Sequence, residues 1–285
     1  MAANLNIWLQ NKLERKLSSR TLQRIERLGL EHRIAKTDPF GFSPDSIRKV
    51  LPFVAWLYES YFRVDMKGIE SLPSGRVLLV ANHSGQIPID GVMIAASLLL
   101  EQENPRALRS MVERWVPGLP FLSTVFARLG QVLGTPENCM YLLERDEAVL
   151  VFPEGAKGIS KTIDKAYQLQ DFGHGFMRLA MQTNTPIVPV GVVGAEEQYP
   201  AMWNLERLAR VLNMPALPIS PTFFVPVVGL LPLPVKYRIR FGEPIYFQGD
   251  PDEDEALVEQ RVRQVKDAIA ELLDSGLNDR KGIFF

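Results

Sequence analysis

Residues 76–102, RVLLVANHSGQIPIDGVMIAASLLLEQ, pass from an apolar run through a turn into a helical pattern, and that change of period decides the fold class. Arg76 to Ala81 reads as a buried strand and the following NHSGQIP as the loop beyond its carboxyl end; Pro88 opens a helix with Asp90 in its first turn. Comparable apolar runs recur in ALRSMVE, AVLVFPEG and PIVPVGVVG, with helical patterns through residues 117–146 and in FMRLAMQT. FRVDMKG and KYRIRFGEPIYF add further strand. Strands interleaved with helices in this way predict an α/β fold on a mostly parallel or mixed sheet flanked by helices. The prolines of PIVPVGVVG are expected at strand ends or on an edge, because proline has no N–H for an interior ladder.

Outward from this unit, residues 1–60 form a predicted helical extension and residues 61–285 the α/β domain. Leu5, Leu9, Leu13 and Leu17 recur every four residues, and Leu22, Ile25 and Leu28 every three. Lys12, Arg15, Lys16, Arg20, Arg24 and Arg27 stand among them, a basic face suited equally to anionic headgroups and to solvent on a docked helix. Ser43 and Pro44 read as N-cap and first-turn proline of a helix expected to kink at Pro52. Asp250 and Pro251 are expected to cap a last helix with Leu257, Val258, Val262, Val265, Ile269 and Leu272 on one face, ending at Gly276.

The formal net charge of −1 over 285 residues argues against a polyanion partner, so no nucleic acid is expected. A single cysteine, Cys139, excludes an intrachain disulfide and a multi-cysteine zinc site, and reads as a small buried helix residue. No apolar stretch reaches the roughly 18 residues a spanning helix needs, and the polar start is unlike a signal peptide. The expected location is therefore cytoplasmic, peripheral on the inner face of a membrane. FFVPVVGLLPLPV, residues 223–235, is the most apolar segment; its prolines suit an extended core segment or a loop dipping into a bilayer surface.

Open α/β sheets place ligands at the carboxyl ends of their strands, which is where His83 stands. A neutral imidazole takes a proton from a hydroxyl or thiol near pH 7 when a second group fixes its tautomer. Asp90 is the obvious partner, with Gly85 supplying the bend. Taken alone, the pair is more often a loop histidine and a helix-capping aspartate. Ser84 lacks a nucleophile elbow. The next strand-end loop holds Phe152, Pro153, Glu154, Gly155 and Lys157, so one pocket at this edge draws on both loops. His174 reads as a surface or cap residue, and Arg106, Arg109, Arg114 and Arg128 as surface charges or partners for donor phosphates.

Asn-His…Asp, then Phe-Pro-Glu-Gly, then Pro-Ile-Val-Pro-Val, in that order across about residues 65–245, resembles the lysophospholipid or glycerolipid acyltransferase superfamily of PlsC-like enzymes. The resemblance implies that His83 is the general base and Asp90 orients it. It implies further that Phe152, Pro153, Glu154 and Gly155 help bind the acceptor, that Lys157 takes a headgroup, and that Pro186 to Val190 shape the pocket. It implies direct acyl transfer from acyl-CoA or acyl-carrier protein to a lipid hydroxyl of a lysophospholipid or a mono- or diacylglycerol. Lipid acceptor and acyl thioester are then the partners, with peripheral membrane contact and with neither metal nor bound cofactor. Two departures stand out: six residues separate His83 from Asp90 where the family motif has four, and Thr135 and Pro136 occupy the place of a basic group, which favours a neutral acceptor. The same residues also suit a lipid or thioester hydrolase, or a non-catalytic lipid-binding protein of this fold.

Overall fold

The computed structural model describes residues 17–27, 38–83, 88–114, 122–205, 209, 217–225, 229, 231–251 and 254–285. The described elements are α1 (Ser19–Arg27), α2 (Pro44–Trp56), β1 (Asp65–Lys67), β2 (Val77–Ala81), α3 (Ile89–Leu100), β3 (Leu108–Val112), α4 (Leu122–Arg128), β4 (Gln131–Leu133) and α5 (Pro136–Leu143). They continue with β5 (Ala148–Val151), α6 (Ala156–Ile159), α7 (Gly175–Gln182), β6 (Ile187–Val193), β7 (Trp203–Asn204), β8 (Pro218–Ile219), β9 (Arg238–Phe241) and α8 (Glu255–Asn278).

Seven strands form one sheet in the order β1-β9-β6-β2-β5-β3-β4. The run β6-β2-β5-β3-β4 is parallel throughout, and β9 joins β6 antiparallel, carrying β1 parallel to itself. The fold is thus α/β with a mostly parallel sheet between helical layers. Its centre, β2, is buried along its whole length, which is why VLLVA is a continuous apolar run without polar alternation. The period of two still divides its side chains: Val77, Leu79 and Ala81 join the core made with Leu51 of α2 and Met93 and Leu98 of α3. Leu78 and Val80 join the opposite core with Leu142 of α5, Met177 of α7 and Val262 of α8.

Several local expectations change. Residues 117–146 are not helical throughout, because β4 lies between α4 and α5 at the sheet edge. Three residues, QVL, are too short to display a period. Pro189 lies inside β6, an interior strand, and not at an end or edge. The sheet accommodates it with a bulge: Ile187 faces Ile245 and Val190 faces Phe241, so three steps on β6 oppose four on its neighbour. The cap of α8 is Asp254, whose carboxylate accepts the Ala256 N–H at 3.1 Å, and neither Asp250 nor Pro251. Gly276 does not stop that helix; it lies inside it, where a Cβ would come within 3.0 Å of Val193 Cγ2. Leu257 is exposed, and Leu273 takes the buried position.

Ser43 caps α2 as expected, its side chain accepting the Ser46 N–H, and the helix runs through Pro52 to Trp56 before widening into a π turn over Leu57–Tyr61. Leu17, Leu22 and Ile25 pack on the core, and Arg20 of α1 meets Glu101 at 3.6 Å. The leucine and basic positions upstream of Leu17, Leu28, Ser84, Gly85 and parts of residues 223–235 lie outside the described residues. Among the described residues, no helix is long and apolar enough to cross a membrane.

Candidate active site

Three adjacent strands, β6, β2 and β5, deliver the site at their carboxyl ends. β2 continues into Asn82, which is fully buried and bonded twice to Val192 of β6: its amide donates to the carbonyl at 3.1 Å and its oxygen accepts the N–H at 2.8 Å. This double bond extends the ladder by a side chain and fixes the direction in which the chain leaves the sheet. His83 follows. Its Nδ1 lies 2.9 Å from Asp90 Oδ2, so the six-residue separation brings the two side chains together from β2 and the first turn of α3. Asp90 is completely buried, and its Oδ1 accepts the Gly91 N–H at 2.7 Å. A buried carboxylate on Nδ1 selects the tautomer with Nδ1–H and leaves the Nε2 lone pair for chemistry. The imidazole stays 14% exposed, open to a reactant on that side.

β5 supplies the rest. Phe152 stacks on the imidazole with centroids 4.1 Å apart and planes at 20°. Pro153 accepts the Gly173 N–H through its carbonyl at 3.0 Å. Glu154 is buried, and its Oε1 accepts the His83 backbone N–H at 2.9 Å while Oε2 accepts the Gln170 N–H at 2.8 Å. Gly155 has φ +52° and ψ −141°, a backbone state that side chains other than hydrogen strain against, and this turn directs Glu154 under the histidine. Gly158 of α6 closes the same contact, since a Cβ there would lie 2.8 Å from His83 Cβ.

Of the residues singled out from sequence, His83, Asp90, Phe152, Glu154 and Gly155 converge. Glu154 does so as a buried support whose two oxygens already hold backbone donors, not as a group facing an open acceptor site. Lys157 is largely exposed and lies 3.4 Å from Asp171. Ile187 to Val190 are buried in β6 beside β2. His174 pairs with Glu255 at 2.5 Å on the surface. Arg109 is buried against Asp38 at 2.6 Å, and Arg106 holds the carbonyls of Pro73 and Gly75, so both are structural. Arg114 and Arg128 are exposed, and Arg128 lines a groove of about 500 Å³ with Val112, Phe126 and Leu133 at the carboxyl ends of β3 and β4. Thr135 caps α5, its hydroxyl accepting the Asn138 N–H at 3.3 Å. Burial pushes the Cys139 thiol up to about 11, which leaves it protonated and inert at neutral pH.

Asn82 entered the sequence reading only as the residue before His83 in the motif, with no role of its own, and Lys161 and Glu196 were not singled out. Glu196 follows β6, so the rule of polar groups at strand ends reaches it; Asn82 adjoins the histidine; Lys161 carries no signal in its spacing.

The family model described as Acyltransferase matches residues 63–193, which contain every one of these site residues except Glu196. An uncharacterized protein of Mycobacterium leprae is 38% identical over 255 residues, covering 87% of this chain and 70% of the relative. A probable 1-acyl-sn-glycerol-3-phosphate acyltransferase of Mycoplasma pneumoniae is 27% identical over 167 residues, covering 55% of this chain and 60% of its own. Among solved structures, the 1-acyl-sn-glycerophosphate acyltransferase PlsC of Thermotoga maritima aligns over 82% of each chain with 16% identity and a TM-score of 0.49. On the family match across the His83 and Glu154 loops, with relatives aligned along most of its length, this chain belongs to the Acyltransferase family.

Proposed function

We propose that this protein moves a fatty acyl group from a thioester, acyl-CoA or acyl-carrier protein, to a lipid hydroxyl, with His83 as general base. The observation that carries the reading is the 2.9 Å contact of His83 Nδ1 with the fully buried Asp90, at the carboxyl edge of the sheet. The hydroxyl proton passes to Nε2 as the oxygen attacks the thioester carbonyl. The tetrahedral intermediate then expels the thiolate, which takes the proton back from the imidazolium, and Asp90 offsets the transient positive charge. Relatives named as 1-acyl-sn-glycerol-3-phosphate acyltransferases support a glycerolipid acceptor. Thr135, spent on capping α5, offers no cation where the superfamily pattern has one, which favours a neutral mono- or diacylglycerol over a phosphate-bearing acceptor. Purified protein given labelled acyl-CoA and a panel of lipid alcohols is expected to form acylated lipid in step with thioester consumed. Free fatty acid as the sole labelled product would sink this reading and favour a hydrolase.

A lipid substrate also suits the apolar surface beside the site. The chain leaving β6 forms β7, β8 and the turn Pro221–Phe224, and leaves Met202, Trp203, Leu205, Phe224 and Val225 exposed. The segment that carries them starts and returns at the carboxyl end of β6, the end of the sheet that holds His83, where the protein can rest on a bilayer without spanning it. Burying a large apolar side chain is worth about 1.5–3 kcal/mol. Trp203→Asp combined with Phe224→Asp is therefore expected to weaken sedimentation with phosphatidylglycerol vesicles by on the order of tenfold or more. Unchanged sedimentation would remove this face from the membrane contact.

A further inference from the structure

The carboxylate that holds the His83 backbone is itself part of a buried charge cluster. Lys161 follows α6 with its side chain only 4% exposed, and its ammonium lies 3.4 Å from Glu154 Oε2 and 2.9 Å from Glu196 Oε1. Two buried carboxylates, one from the end of β5 and one from the end of β6, thus share one cation. Glu196 Oε2 also accepts the Tyr167 N–H at 2.9 Å; the Tyr167 hydroxyl donates to Glu197, which meets Arg280 beyond α8 at 2.5 Å. The cavity beside Lys161, lined by Gly158, Thr162, Glu196 and Tyr199, measures about 10 Å³, room for about one water. The cluster therefore depends on its own internal pairing and little on solvent for balance.

We propose that Lys161 is a positioning residue for acyl transfer: its ammonium lets Glu154 and Glu196 stay ionised side by side, so that Glu154 keeps its grip on the His83 backbone. This rests on the reading of His83 as the base. Burial raises the Glu196 carboxyl above its ordinary range, and Lys161 is the leading opposing influence. Without the ammonium, the two carboxyls share a proton near neutrality, or repel one another once it is stripped. Either outcome loosens the hold of Glu154 on two backbone donors, His83 N–H and Gln170 N–H. Because Phe152 and Gly158 pack directly on the His83 side chain, a shift of its backbone tilts the imidazole relative to the bound reactants.

Lys161→Met is expected to lower kcat by about tenfold to a hundredfold, with KM for the thioester unchanged within about twofold. It is also expected to add an ionisation to the pH profile that the unsubstituted protein lacks. Adding Glu196→Gln removes the rival charge, and most of the activity is expected to return. A lysine that merely fills space would give neither the new ionisation nor the rescue. The Gln170 amide proton, observed by NMR, reports the same event without turnover. In Lys161→Met its shift is expected to show a titration step between about pH 5.5 and 9 that is larger than any in the unsubstituted protein and is lost in the double variant. A flat Gln170 amide in Lys161→Met overturns the proposal. Absent acyl transfer with the titration intact instead removes the base reading and leaves the charge cluster standing. If Lys161→Met is too unstable for spectroscopy, the comparison moves to melting temperature: recovery in the double variant supports the role, and equal instability of the two overturns it.

Discussion

His83→Ala is expected to lower kcat for acyl transfer by about 10²–10⁴, or roughly 3–5 kcal/mol of transition-state stabilisation, while leaving the fold and the affinity for lipid in place. The magnitude follows from what the imidazole is placed to do. Its Nδ1 is committed to Asp90, its face to Phe152 and its backbone to Glu154, so Nε2 is the one ring atom left for substrate. A lipid hydroxyl is a poor nucleophile until its proton has somewhere to go, and the other histidine among the described residues, His174, is engaged with Glu255 on α8. The variant should fold, since Asn82, which fixes the strand end to β6, is untouched, and the side chain removed is partly open to solvent. The measurement is kcat and KM with acyl-CoA and the best acceptor from the panel, beside a thermal melt. Turnover within about threefold of the unsubstituted protein would take the base role away from His83.

The same side chains show what a sequence discloses. The address of His83 was legible because a wholly apolar run such as VLLVA has one stable home, the middle of a parallel sheet, and the chemistry of such a sheet lies where the chain leaves it. Phe152 and Glu154 were legible for the same reason at the end of the neighbouring strand. What Glu154 does there was not. Whether a carboxylate meets a ligand or holds backbone N–H groups depends on Gln170 and His83, which lie 16 and 71 positions away along the chain. Lys161 was hidden more completely, since a lysine in GISK reads as solvated until the fold encloses it between two acids. Pro189 misled for the opposite reason. A local rule kept it off an interior strand, and a bulge made by residues more than fifty positions later made room for it.

Asp90→Asn is the sharpest test of the unusual six-residue spacing, and its kcat is expected to fall by on the order of 10²–10³. A loop two residues longer than that of the family motif gives room for some other group to orient the ring instead. The geometry argues against that, because both oxygens of Asp90 are in use in a site closed to water: Oδ2 faces His83 Nδ1 and Oδ1 accepts the Gly91 N–H. An amide has one acceptor oxygen and one donor nitrogen for these two places. If the nitrogen faces the imidazole, Nδ1 must become the acceptor, the ring proton moves to Nε2, and the lone pair that receives the substrate proton is gone. If the amide turns over, the ring keeps its tautomer but the NH₂ group faces the Gly91 N–H, two buried donors against each other, at about 1–3 kcal/mol. The tautomer is the cheaper one to give up, so the loss is expected in kcat, with KM for acceptor and donor little changed and a modest drop in melting temperature. Imidazole ¹⁵N shifts should show the Nε2–H form of His83 in the variant and the Nδ1–H form in the unsubstituted protein. Near-normal turnover together with an unchanged tautomer would mean that another group orients the ring, and Asp90 would lose its role.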